Sequence, residues 1–459
     1  MASKTFTLLG FAAAAVARVQ FLGVAISGGD FGCETDGSCP LGKVQLPLSS
    51  LGGGDGEGQM NHFVQTSKLN MFRLPVSWQF LVNNQPGGQL DANNFGRYDQ
   101  VMQKCLATGA HCMVDIHNFA RWDGGIIGQG GPTDDQFVSL WTQLAQRYKA
   151  DERVVFELMN EPHDLDVALW AATCQKAVAA IRRAGAASQM ILLPGTNFNS
   201  AEFFVSSGSA DALAAITNPD GSTDNLVLDV HKYLDENNSG THKLCTTDNV
   251  ESFRKVAEFL RSKGRKGLVS ETGASNDASC FTSFCAQNTF INQNSDVFIG
   301  LVGWAAGSFD ANYVLSLTPK KSGNGGYADN DLMKQCVLDT WANTEQNVSA
   351  PARSASQSQS QPAVSAMPTK ASSSAPTAIP VTAPARSSEE QGIAPPTTIV
   401  SMPSTLLVDP STPTPPTPTG PRRNGTTTTR PPSVPTAAGS RMEMGGTFLG
   451  LGLVLALLL

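Results

Sequence analysis

Aromatic residues are missing from a long stretch of this 459-residue chain: no Phe, Trp or Tyr occurs between Trp341 and Phe448. The same stretch holds 18 of the 27 prolines, and 50 of the 97 residues from Thr344 to Ser440 are Ser, Thr or Pro. Such a segment cannot bury enough apolar surface to offset its ordering entropy, so residues 342–440 are expected to be a disordered Ser/Thr/Pro-rich stalk. Lys/Arg-rich runs are absent too. With 32 basic against 39 acidic residues, the net charge of −7 argues against a nucleic-acid partner and suits an uncharged substrate. No Cys/His cluster has zinc spacing and the six histidines are scattered, so neither a metal nor a cofactor is expected. The first apolar run ends in Ser27-Gly28-Gly29, a turn that lacks the Gly-rich phosphate fingerprint of a nucleotide-binding doubly wound sheet.

What is present begins with the two ends. Lys4, an apolar run from Phe6 to Val16 and the small-x-small triplet Ala15-Val16-Ala17 have the layout of a secretory signal, so residues 1–17 are expected to be a cleaved leader. Its tetra-alanine, Ala12 to Ala15, suits a buried first strand poorly. Phe448 to Leu459 is an apolar tail of 12 residues, short of the ~20 a membrane-spanning helix needs. Small residues Ala437 to Ser440 and a spacer from Arg441 to Thr447 precede it. That order predicts a glycosylphosphatidylinositol (GPI) attachment signal over 441–459, with a short tail anchor as the alternative. The protein is thus expected to be secreted and held at the cell surface, touching membrane only through a lipid. Nine cysteines between Cys33 and Cys336 fit that compartment and leave one thiol over. Spacing suggests Cys33 with Cys39 and Cys105 with Cys112. Cys174, on an amphipathic helical run, is the choice for the free one.

The remaining 18–341 is long enough for one large core. It carries eight short aliphatic runs: Val19–Ile26, Met71–Leu74, Cys112–Ile116, Val154–Met159, Ile191–Leu193, Leu226–Val230, Gly267–Val269 and Phe298–Trp304. Most are continuously apolar, as strands covered on both faces are. Helical periods lie between them, clearest in Tyr98–Leu106, Asp135–Tyr148, Asp166–Arg183, Glu251–Lys263 and Phe281–Asn292. The alternation predicts an α/β fold, a (β/α)8 TIM barrel, whose chemistry sits after the carboxyl ends of its strands. Those positions hold Arg73, His117, Asn160, Glu161, His231, Tyr233, Glu271 and Trp304. Two carboxyl groups facing each other across a barrel mouth meet the requirement for glycosidic cleavage, one protonating the leaving oxygen while the other attacks the anomeric carbon or activates water. Asn160 suits a sugar 2-hydroxyl, Arg73 and Tyr233 suit an ionised Glu271, and the indole of Trp304 offers a flat face to a pyranose.

The segments Phe72 to Val76, Val114 to Asn118, Met159 to His163, Asp229 to Tyr233 and Ser270 to Gly273 resemble the signatures of glycoside hydrolase family 5, and the wider text from Val19 to Cys336 is similar to the fungal secreted endo-β-1,4-glucanases of that family. The resemblance implies a retaining hydrolase of cellulose-type β-glucan, with Glu161 as acid/base, Glu271 as nucleophile and Arg73, His117, Asn160, His231, Tyr233 and Trp304 binding substrate around them; the protein is expected to be a monomer. It also implies the pairs Cys245–Cys280 and Cys285–Cys336. Three positions depart from the pattern: Ala25 and Gly29 stand where polar and aromatic residues are usual, and Phe198 where a Trp is expected. They leave open another polymer, such as mannan, xyloglucan or a β-1,3/1,6-glucan. A rival from a different class is a non-catalytic, glycan-binding wall protein.

Overall fold

The computed structural model describes residues 18–323 and 325–342. The expected leader, the GPI signal and all of the stalk beyond Ala342 lie outside the described residues, as do Asn347-Val348-Ser349 and Asn424-Gly425-Thr426, the two triplets of the stalk with the Asn-x-Ser/Thr pattern of N-glycan acceptors. Eight parallel strands close into a barrel in chain order: β1 (Phe21–Ser27), β2 (Met71–Val76), β3 (His111–Ile116), β4 (Val154–Glu157), β5 (Met190–Leu193), β6 (Leu226–His231), β7 (Gly267–Thr272) and β8 (Phe298–Gly307), which pairs back onto β1. The predicted runs and the observed strands coincide to within a few residues.

Helices α1 (Gly56–Gln65), α2 (Asn94–Ala107), α3 (Asp134–Tyr148), α4 (Val167–Arg183), α5 (Ser209–Ala214), α6 (Val250–Lys263) and α7 (Ala278–Gln293) follow the first seven strands. A last helical segment over 331–342 follows β8 and contains a wide turn at Met333–Leu338. Helices α1, α3, α4 and α7 start where the N-cap side chain supplies the missing acceptor. Thr133 and Gln136 form a reciprocal capping box on α3, and Asp166 accepts from two amides at the head of α4. Helices α1 and α5 have no counterpart in the sequence prediction. Two glycines break the apolar period of α1, and α5 has six residues, too few to show one. Among the described residues no helix is long and apolar enough to cross a membrane. All four expected disulfides are formed, and Cys174 is free and buried.

The barrel interior explains where the site lies. One residue from each strand, Phe21, Met71, Met113, Val155, Leu192, Val227, Leu268 and Val302, makes a closed apolar layer. Side chains alternate along a strand, so the next inward position is two residues on. There the chain places Ala25 above Gly23 on β1, then Arg73, Asp115, Glu157, Asp229, Ser270 and Trp304. The floor is sealed by hydrocarbon and the layer above it is polar.

Candidate active site

Arg73 is the centre of that polar layer and is fully buried. Its Nε donates to Glu157 Oε2 at 2.7 Å, and Nη2 donates to Glu157 Oε1 at 2.6 Å and to Asn160 Oδ1 at 2.7 Å. Nη2 also lies 2.9 Å from Asp115 Oδ2, while Nη1 donates to Glu271 Oε2. Burial opposes the guanidinium charge, but Asp115, Glu157 and Glu271 outweigh it and raise its pKa well above the ordinary value. Three carboxyl groups share this one cation, so they resist ionising together. Burial raises the pKa of both Asp115 and Glu157, against the pull of Arg73.

Glu271 reaches the mouth because β7 is irregular. Val230 pairs with Val269 but His231 pairs with Glu271, so Ser270 and Glu271 together oppose one residue of β6. Both side chains therefore contact inward partners despite being adjacent. Glu271 Oε1 accepts from the Tyr233 hydroxyl at 2.7 Å, while Arg73 holds Oε2, so each carboxylate oxygen has a donor. Burial keeps the Tyr233 phenol protonated by raising its pKa.

Glu161 follows β4 with φ of 44°, in the left-handed region a glutamate rarely enters. Its Oε1 lies 3.0 Å from His231 Nδ1, and an atom from each of Glu161, His231 and Glu271 lies within 4.8 Å of the others. A row of hydrogen bonds runs away from Glu161. His231 Nε2 is 2.8 Å from Ser270 Oγ, which donates to Asp229 Oδ1, and Asp229 Oδ2 accepts from Asn199 at 2.8 Å. With Ser270 donating to Asp229, His231 carries its proton on Nε2 and presents Nδ1 as an acceptor. The contact with Glu161 is then a hydrogen bond when the carboxyl is protonated. Burial holds His231 well below its usual pKa, and therefore neutral, while burial and then the charge of Glu271 raise Glu161 well above the usual carboxyl range. A proton on Asp229 Oδ1 instead reverses the three bonds from Asp229 through Ser270 and His231 to Glu161, leaves the Asn199 bond as it is and leaves Glu161 ionised, so the row accommodates Glu161 in both states. The pKa of Asp229 is likewise raised well above the usual range, by burial first.

His117 donates from Nδ1 to Asp115 Oδ2 at 2.7 Å, and burial pushes it down to about 4 against the opposing charge of Asp30. Its ring stacks on Trp304, with centroids 5.4 Å apart. Trp304 is fixed by donation to Tyr313 Oη at 3.0 Å and by the edge of Phe309. Beside them a cavity of about 460 Å³ opens between Asp30, Phe31, Lys43, Gln45 and Phe309. A larger one, of about 570 Å³, lies at the opposite end of the barrel beside Phe21 and His111. There Arg265 is engaged by main-chain carbonyls and Arg153 by Asp151 and a carbonyl, whereas His117 and Trp304 line the smaller cavity.

All eight residues picked from strand ends therefore converge on one mouth. Sequence reasoning passed over Asp115, Glu157, Asp229 and Ser270, although each of the three acids is the lone carboxyl of its strand. Of the departures, Gly29 has a packing reason: an added Cβ would sit 2.5 Å from the carbonyl oxygen of Pro75, leaving no room for an aromatic ring. Phe198 has one face covered by His163, with centroids 4.3 Å apart.

Comparison with known proteins agrees with the geometry. The family pattern for cellulase, glycosyl hydrolase family 5, matches residues 38–310. Endoglucanase EG-II of Hypocrea jecorina is 55% identical over 324 residues, which cover 70% of this chain and 77% of that protein. Endoglucanase 1 of Saitozyma flava is 44% identical over 317 residues, covering 69% and 88%. The crystal structure of Cel5A (EG2) from Hypocrea jecorina superposes with a TM-score of 0.69 at 55% identity, spanning 70% of this chain and 99% of that one. A match that runs through both mouth glutamates, joined to identity above half across the barrel, makes this chain a member of glycosyl hydrolase family 5, the cellulase family.

Proposed function

We propose that the protein is a retaining endo-β-1,4-glucanase, with Glu161 as acid/base and Glu271 as nucleophile. The observation that carries the reading is the pair of carboxyl groups across the mouth, with atoms within 4.8 Å of each other. That spacing lies close to the carboxyl separation of about 5–5.5 Å for direct attack and short of the about 6.5–9.5 Å that inversion needs to seat a water beside the sugar. Glu271, held by Arg73 and Tyr233, attacks the anomeric carbon while Glu161 passes its proton to the leaving oxygen. Glu161, now ionised, takes a proton from the water that releases the glycosyl group. Asn160 has its oxygen engaged by Arg73 and offers its NH2 to the sugar, and Trp304 offers a ring face. The names of the relatives support β-1,4-glucan as the polymer. We place the enzyme at the cell surface, on the Ser/Thr/Pro-rich stalk and a lipid added at the carboxyl end, because its leader and tail have the order of those signals.

The test is one assay of the purified full chain on soluble cellulose derivatives, mannan, xyloglucan and β-1,3/1,6-glucan, with Glu271→Gln as the blank. Cleavage of the β-1,4-glucan with a rapid fall in viscosity is the expected result. Preference for another polymer would overturn the substrate assignment, and no cleavage of any would favour a binding protein.

A further inference from the structure

The mouth of the barrel carries a motif that the reaction does not use. Asn237-Asn238-Ser239 satisfies the Asn-x-Ser/Thr rule and is the only such triplet between residues 18 and 342. It lies in the loop after β6, four residues beyond Tyr233, and Glu236, Asn237 and Ser239 are exposed. We infer that Asn237 is an N-linked glycosylation site whose glycan stands on the rim of the active-site mouth.

The local geometry suits the modification. Asn237 Oδ1 accepts from the Ser239 amide at 3.2 Å and from the Ser239 hydroxyl at 2.7 Å, a turn that brings the hydroxyl onto the amide oxygen. The amide nitrogen, the atom a glycan takes, donates no hydrogen bond among the described residues, so a sugar there displaces nothing. The loop is built to hold this shape without help from Asn237. Asp235 Oδ2 accepts from the amides of Thr241 and His242, both at 3.1 Å. Asn238 Oδ1 accepts from the Tyr233 amide at 2.8 Å. Gly240, with φ of 69°, packs so closely on the Tyr233 ring that an added Cβ would lie 2.7 Å from it. The glycan would therefore sit on the outer side of the loop that backs Tyr233, close to the reaction without entering it.

The transfer balances as follows. The Asn237 amide nitrogen loses a proton and bonds to C1 of an N-acetylglucosamine unit supplied as a lipid-pyrophosphate-linked oligosaccharide. The bond from C1 to the phosphate oxygen breaks, and the lipid pyrophosphate leaves. The inference rests on the secretory reading above, which the four disulfides accompany.

The full chain, expressed in a eukaryotic secretory host, is treated with peptide-N-glycosidase in ¹⁸O-water and digested with trypsin, which cuts after Lys232 and Lys243. The expected result is a 233–243 peptide with ¹⁸O-aspartate at position 237. That label should vanish in Ser239→Ala and persist in Ser239→Thr, while Asn237→Gln turns over a soluble substrate at the parent rate and so reports a folded barrel. Protein recovered outside the cell with its disulfides formed and this peptide unmodified would overturn the glycan and leave the secretory reading standing. Retention in the cytosol with reduced thiols would overturn both.

Discussion

Replacing Arg73 with Lys keeps the charge and the length and removes the fork, and its cost can be worked from the contacts. The guanidinium serves five oxygen atoms through three nitrogens: two on Glu157, one on Asn160, one on Asp115 and one on Glu271. An ammonium has three N–H groups on one atom, so at least two of the five contacts are lost. Hydrogen bonds to charged groups contribute about 1.5–3 kcal/mol each, giving a loss of about 3–6 kcal/mol of stability. At roughly 2 °C per kcal/mol for a large domain, Arg73→Lys is expected to melt about 6–12 °C below the parent. Turnover should fall about 10²-fold or more, because Glu271 loses the donor that fixes its Oε2 and a displacement near 1 Å costs that much. Calorimetry and kcat on a soluble β-glucan measure the two effects on the same preparation. A variant that melts with the parent and keeps its turnover would refute the claim that the fork organises the site.

Glu161→Gln should lose about 10²–10⁴-fold on polymer and recover on aryl cellobiosides with good leaving groups, whereas Glu271→Gln should recover on neither; equal recovery would reverse the assignment. Activity should fall on the alkaline side as Glu161, its pKa raised by burial and the Glu271 charge, gives up its proton, and a flat profile through alkaline pH would contradict this. Stability has the same sign. Asp115, Glu157, Glu161 and Asp229 have pKa values raised by folding, so the native state holds protons that the unfolded chain releases. Their contribution is complete below the ordinary carboxyl range near pH ~4 and is lost as pH rises through the raised values, so the melting temperature should decline toward alkaline pH. Opening Cys285–Cys336, which joins residues 51 apart, by a double Ser substitution should cost about 4 kcal/mol in denaturant unfolding, and an unchanged midpoint would deny that the bridge restrains the chain.

The barrel was legible because most of its buried strands are aliphatic runs interrupted by at most one charged residue and because chemistry at strand ends follows from the fold. His231, Tyr233 and Glu271 could be found that way. The layer beneath them could not, since Asp115 and Asp229 sit inside their strands and Glu157 inside the expected run Val154–Met159, which β4 leaves two residues early, so attention to the expected strand ends passes over all three. The bulge that turns both Ser270 and Glu271 inward is also invisible to a period of two, which would send one of them outward. Helix α1 was hidden for a local reason: its core contacts come from Met60 and Phe63, and Gly56 and Gly58 blur the rest of its face.

The division of labour between Glu161 and Glu271 is tested most directly by the configuration of the first product. Proton NMR during hydrolysis of a soluble cello-oligosaccharide should show the β-anomer first and the α-anomer only as mutarotation proceeds. An initial α-anomer would mean that water, and not Glu271, attacks the sugar, and would contradict the account.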